Sequence, residues 1–280
     1  MKAARSRKGV TLELRTDRAY LATTAYADDG PLTDRMALYE HQRPRIDLEA
    51  EVLARLGEVA GRRVADIGCG NGRYVGPLAS RGAAVVALDL SVGMLRSVTA
   101  PARVGRAVAD AQALPVRARS LDAALAMHML YHVPDPALAL REAARTLRPG
   151  GRFVAAVGGP RHLAEAGELW RRLLEGTGVQ DEAADIDLIN RRVPKDALAR
   201  LLGEHFAEVE CSLLASTVVL QDPGPLVRHM LSSTAARAAA ARGLDISNRL
   251  RGALEEAIGK DGAFWLTTEV ALFSARAGGN

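Results

Sequence analysis

Residues 64–75 read VADIGCGNGRYV, an apolar run broken by one acid, Asp66, and followed by glycines at 68, 70 and 72. Such a run predicts a buried strand entering a turn. A turn with so little side chain lets a ligand approach the amide groups that open the next helix. In a dinucleotide site the pyrophosphate lies over this turn, where a carboxylate two residues before the first glycine repels it. The dinucleotide fingerprint also wants its third glycine three residues after the second, whereas these glycines alternate as G-x-G-x-G. No G-x-x-x-x-G-K-[ST] run is present, so a phosphate-binding loop with its lysine is excluded. A cationic ligand suits the turn.

Outward from this stretch the pattern alternates. Residues 45–60 space Ile46, Leu48, Val52, Leu53 and Leu56 as one helical face and predict an amphipathic helix closed by Gly61. RYVGPLASRG predicts the helix after the glycine turn. AAVVALDLS (83–91) predicts a second strand ending at Asp89, with VGMLRSVTA as its helix. GRAVADAQALPV supplies a third strand ending near Asp110 and LDAALAMHMLYHV a fourth, followed by the helix PALALREAARTLRPGG and the strand RFVAAVGG. Strands alternating with helices at this interval imply a doubly wound parallel α/β sheet. After residue 158 the rhythm changes: RHLAEAGELWRRLLEGTG and VPKDALARLLGEHF read as helices and AEVECSLLASTVVL as β-rich. Helical segments at 222–262, PLVRHMLSSTAARAAAARG and ISNRLRGALEEAIG, precede a last strand, FWLTTEVALFSAR.

At 280 residues the chain holds one large α/β domain with insertions, and 48% hydrophobic with 25% charged residues is ordinary for a globular protein. No apolar run reaches the roughly 18 residues of a spanning helix. The basic N-terminus lacks the apolar region of a secretory signal, and a cytoplasmic location without a membrane partner is expected. Cys69 and Cys211 are too few for a disulfide framework or a cysteine-rich zinc site and read as reduced thiols; no metal is called for. Net charge is only +4 although the pI is about 9.3. The one basic cluster, Lys2, Arg5, Arg7 and Lys8, reads as a solvated tail.

Four segments in order, VADIGCGNGRYV, VVALDLSVGML, AVADAQALPV and LDAALAMHMLYHVPDPALALREAARTLRPGGRFV, resemble the class I S-adenosylmethionine-dependent methyltransferases, and among them the type 11 methyltransferase family. The likeness covers residues 60–158. It implies a seven-stranded Rossmann-like sheet, with residues 1–44 as an N-terminal tail and helical lid. Residues 45–280 would form the S-adenosylmethionine-binding domain, with cap insertions at about 159–205 and 222–262. S-adenosyl-L-methionine carries an ammonium and a sulfonium, which suits Asp66 beside the turn of Gly68, Cys69 and Gly70. Asp89 would take the ribose hydroxyls, Leu90 and Met94 would wall the adenine, and Asp110 and Ala111 would lie at its edge. Arg35, in the stretch ahead of the first core strand that also holds Tyr26 and Tyr39, would pair with the methionine carboxylate.

The methyl acceptor is less constrained. His128, Tyr131 and His132 are the polar residues where the fourth strand ends and are the candidates for acceptor contact or proton transfer. His132 either anchors the following helix start or touches the acceptor, and His128 points either to the crevice or to the core. HMLY replaces the Asn/Asp-Pro-Pro-Tyr run of the branches that methylate adenine or glutamine nitrogen, which disfavours that chemistry. Asp185 and Asp187 are a solvated acidic face or a contact for a cationic acceptor. The expected function is methyl transfer to an O, N or activated C atom of a small molecule such as a secondary metabolite. RNA methylation, or cofactor binding without methylation, is the alternative. With 4% aromatic residues and no base-stacking module, a nucleic-acid partner is disfavoured, while a homodimer stays open.

Overall fold

A computed structural model of the chain describes residues 16–99, 101, 104–177 and 192–279; the basic cluster of Lys2, Arg5, Arg7 and Lys8 and the acids Asp185 and Asp187 lie outside them. Its strands are β1 (Gln42–Arg43), β2 (Arg63–Ile67), β3 (Ala84–Asp89), β4 (Gly105–Val108), β5 (Leu121–Met127), β6 (Leu147–Gly158), β7 (Phe206–Leu220) and β8 (Phe264–Ala277). They form one sheet in the order β1-β7-β8-β6-β5-β2-β3-β4. The pairs among β2 to β6 are parallel, and β8 runs antiparallel between β6 and β7. The seven expected strands are all present, and the two-residue β1 adds an edge against β7.

The chain leaves β2 for β3 on one side and later returns to β5 on the other, so the order reverses between β2 and β5. In open α/β sheets the crevice beyond the strand ends at such a reversal receives ligands. The strand predicted from the opening stretch therefore delivers its glycine turn to the middle of that crevice.

Helices cover both faces. The N-terminal segment contributes α1 (Gly30–Ala37), and along the first face lie α2 (Leu48–Leu56), α3 (Val75–Ser80) and α4 (Val92–Ser97). Leu48, Val52, Leu53 and Leu56 of α2 pack with Val75 and Leu78 against Val64, Val85 and Leu125 of the sheet. Helix α2 starts where the Asp47 carboxylate accepts from Ala50 N (2.9 Å) and ends at Gly57, φ 65°, four residues earlier than Gly61. Gly57 supplies the left-handed stop, and Gly61 instead turns the chain into β2. On the other face α5 (Pro136–Thr146), capped by Asp135, packs Leu140 and Ala143 with Phe153, Phe206 and Phe273.

The insertions have a core of their own. Trp170 and Leu174 of α6 (Ala164–Leu174) meet Leu226 and Met230 of α8 (Gly224–Leu231) and Leu250 and Leu254 of α10 (Ile246–Asp261). They close over Leu220 and Leu266 of the β7–β8 pair and over Leu38 from the N-terminal segment. Each fully buried side chain of this size contributes about 1.5–3 kcal/mol. Between α6 and α8, helix α7 (Lys195–His205) returns Leu198 and Leu202 to the sheet. The helix expected over 225–243 is two: α8 stops at Leu231, and Ser233 caps α9 (Thr234–Ala240) by accepting from Ala236 N (3.1 Å). Two consecutive serines compete for backbone groups and favour a cap over helix interior. Among the described residues no helix is long and apolar enough to cross a membrane.

Candidate functional site

The ends of β2, β3, β5 and β6, the N-terminal segment and the cap enclose a cavity of about 860 Å³. Apart from Asp185 and Asp187, which lie outside the described residues, every residue singled out for cofactor or acceptor lines it: Asp66, Gly68, Cys69, Gly70, Asp89, Leu90, Met94, Asp110 and Ala111, together with Arg35, His128, Tyr131 and His132. The sheet order divides them. The acids close β2 and β3 and follow β4, whereas the imidazoles follow β5 and β6 or descend from the cap.

At the acidic end Gly68 and Cys69 donate to Leu88 O (2.7 and 3.0 Å), which locks the turn onto β3. Gly68 has φ 68°, and a Cβ there would stand 2.8 Å from the Met129 side chain. Gly72 has φ 84° and a Cβ would meet Val98 at the same distance. Both positions require glycine on conformation and on space. Asp66 is 1% exposed and its Oδ2 has no hydrogen-bond partner. Burial first, and the neighbouring Asp89 second, push its pKa up to about 7. Asp89 Oδ2 accepts from Gly70 N (2.9 Å) and Oδ1 from Ser91 N (2.8 Å), but burial outweighs these bonds and raises its pKa as well. Asp110 pairs with Arg18 at 2.5 Å and accepts from Gln112 N. The Cys69 thiol is pushed up by burial, and its nearest polar contact is Gly70 O at 3.5 Å, so it is no thiolate nucleophile.

At the other end His128 leaves β5 with φ 53°, its N–H donating to Ala156 O (2.9 Å), and burial pushes its pKa down to about 3. Tyr131 and His132 follow on a 3₁₀ turn, rings edge to face at 4.7 Å. His132 Nε2 lies 2.8 Å from Tyr26 Oη, so this histidine is bound by a phenol of the N-terminal segment. Arg35 reaches the same phenol (2.9 Å) and ties α1 to the cap through Ser232.

Residues that the sequence reading passed over complete this end. His162 follows β6, 3.0 Å from Tyr39 Oη, and His229 of α8 stands edge-on to Tyr39 at 6.3 Å between ring centroids. Burial pushes both histidines down to about 4. A histidine just after the strand RFVAAVGG was the available signal for His162. His229 sits on the apolar face of a helix and carries no local sign that it meets a cavity.

The donor set fits S-adenosylmethionine on one observation in particular. A buried carboxylate with an unpartnered oxygen, Asp66, stands near a half-buried one, Asp89, beside a bare glycine turn; both have raised pKa values, and a positively charged ligand relieves both. Asp66, the turn of Gly68 to Gly70 and Asp89 are the groups that would hold it.

Comparison with known proteins agrees with this geometry. Residues 65–155 match a family model described as a methyltransferase domain. The ubiquinone biosynthesis O-methyltransferase of Xanthomonas oryzae pv. oryzae is 37% identical over 141 residues, 48% of this chain and 56% of that protein. The demethylmenaquinone methyltransferase of Renibacterium salmoninarum is 34% identical over 134 residues, 43% and 56% of the two chains. The matched stretch thus spans little more than half the length of these curated relatives. Among solved structures, phosphoethanolamine N-methyltransferase 2 of Haemonchus contortus shares the fold with a TM-score of 0.56 at 18% identity, covering 96% of this chain and 60% of that one. The [4+2]-cyclase SpnF does so at 0.50 and 20%, covering 100% and 99%. Over residues 65–155 the chain is thus similar to the methyltransferase-domain family, and beyond that stretch it shares the methyltransferase fold.

Proposed function

We propose that this protein transfers a methyl group from S-adenosylmethionine to an oxygen, nitrogen or activated carbon of a small molecule. The observation that carries the reading is the division of one cavity into an acidic, glycine-floored end and an end of imidazoles and phenols. Its volume stands near the top of the roughly 300–1,000 Å³ usual for ligand pockets, room for a donor beside a compact acceptor. When bound, the cofactor supplies a methyl electrophile. The chain's own part is to hold an acceptor atom in line with that methyl, to exclude water beneath the N-terminal segment and cap, and to accept a proton where the acceptor is a hydroxyl. Tyr131, His132 and His128 are the groups proposed for acceptor contact, with His132 linked to Tyr26.

In this reading residues 1–44 act as tail and lid on the domain 45–280, the protein works in the cytoplasm, and β4 at the open sheet edge with exposed Val108 offers a surface for a second copy. Fractionation and light scattering test those two points. Calorimetry with S-adenosylmethionine tests the site. Charge-assisted hydrogen bonds of about 1.5–3 kcal/mol mean that Asp89→Ala should weaken binding at least about tenfold. Equal affinity of wild type and variant would remove the assignment. Label from the methyl group is expected in a small-molecule pool, and label entering RNA at physiological salt would refute the acceptor class.

A further inference from the structure

The imidazole end of the cavity contains a cation and hydrogen-bond donors that no anion among the described residues answers. Arg35 donates from Nε to Ser232 Oγ (3.0 Å), from Nη2 to Ser232 O (3.0 Å) and from Nη1 to Tyr26 Oη (2.9 Å), with its guanidinium 5.3 Å from the centre of the Tyr26 ring. A guanidinium has five N–H groups, so two remain without a partner among the described residues. Burial opposes its charge and the phenols Tyr26, Tyr131 and Tyr39 favour it, but none of these is a carboxylate. Of the carboxylates lining the cavity among the described residues, Asp66, Asp89 and Asp110 belong to the opposite end, and Glu40 is exposed. The buried Glu269 nearby is already engaged by the Arg161 side chain (2.9 Å) and backbone N–H (2.8 Å).

The tautomer of His162 adds a further donor. Glu269 N–H donates to His162 Nδ1 (3.1 Å), so that nitrogen is bare. A neutral ring then carries its proton on Nε2, 3.0 Å from Tyr39 Oη, and donates to it. The Tyr39 hydroxyl proton is thereby left to point at something else, and Tyr39 lines the cavity.

Resting on the methyltransferase reading, we propose that the acceptor is a small organic anion, a carboxylate or an ionised enol or phenol, whose oxyanion binds the two remaining N–H groups of Arg35 and the Tyr39 hydroxyl. Arg35 then serves the acceptor and not the carboxylate of the cofactor. A planar fork of N–H donors matches an oxyanion in geometry as well as charge.

The test is calorimetric titration of the full chain saturated with S-adenosylhomocysteine. A panel of aromatic and fatty carboxylates is compared with the matched primary amides, and 4-nitrophenolate with 4-nitroanisole, which separates the two sources of oxyanion. At least one anion should bind about tenfold or more tightly than its neutral partner. Arg35→Gln should abolish that preference, Arg35→Lys should keep part of it, and Tyr39→Phe should reduce it, all with unchanged affinity for S-adenosylhomocysteine. Thermal melts of each variant report folding, and the lysine variant keeps the test open if the glutamine variant misfolds. Equal binding of anions and neutral partners, or no anion binding, overturns the proposal. So does loss of S-adenosylhomocysteine affinity in Arg35→Gln, which would return Arg35 to the cofactor. A wild-type chain that does not bind S-adenosylhomocysteine at all would instead sink the methyltransferase reading beneath it.

Discussion

Asp66 is where electrostatics and recognition meet on one side chain. Its carboxyl, fully enclosed and facing Asp89, holds a proton up to about pH 7, well above the ordinary carboxylate range. The folded chain therefore binds more protons than the unfolded chain between about pH 4 and 7, so Asp66 makes stability fall as pH rises through that window. A cationic ligand reverses the preference by favouring the ionised form. Affinity for S-adenosylmethionine should thus rise as pH increases from about 5 to 7, with proton release visible as a buffer-dependent binding enthalpy. Asp66→Asn should bind more weakly and lose this dependence. A variant with the same pH profile as wild type would show that another group titrates.

At the scale of the element, the N-terminal segment rests on α4 at the rim of the cavity. Ser91 Oγ donates to Tyr26 O (2.6 Å), and a Cβ on Gly93 would lie 1.7 Å from Ala27 O, a backbone atom that cannot swing aside. Alanine is the better helix former by about 1 kcal/mol, so Gly93→Ala should leave the melting temperature level or higher. The segment at 26–28 must shift, and the Michaelis constant for S-adenosylmethionine should rise about tenfold, the scale of losing roughly 1.4 kcal/mol of binding. Unchanged kinetics would mean that the segment does not need this seat. The same contact marks what was legible in the chain. β2, β3 and their helices announce themselves by local period, and Asp66, Asp89 and Asp110 by their place at strand ends. The imidazole end was legible only in part, through His128, Tyr131 and His132 at the end of the fourth strand. His162, His229, Tyr26 and Arg35 meet only because the cap and the N-terminal segment fold back across more than a hundred residues of chain, as in the pair of Tyr26 with His132. Helix ends were misread where a left-handed glycine, Gly57, or a serine cap, Ser233, stopped the helix before the apolar period faded.

For the whole molecule, the consequence lies in one stretch, residues 18–41, serving both ends of the cavity. It places Arg18 on Asp110 and the backbone of Tyr26 on Ser91 at the donor end, and Tyr26, Arg35 and Tyr39 side chains among the histidines at the other. If this stretch is the lid of the proposed function, it lifts for the donor to enter. While it is lifted, the acceptor has lost three of its walls. Turnover should consequently follow a compulsory sequence, donor first and acceptor second, with the methylated product leaving before S-adenosylhomocysteine. In initial-rate experiments S-adenosylhomocysteine should compete with the donor and act noncompetitively toward the acceptor, and pre-bound labelled donor should be trapped as product when acceptor is added with excess unlabelled donor. Random addition would mean that the two ends open independently, and that the shared stretch imposes no timetable on the reaction.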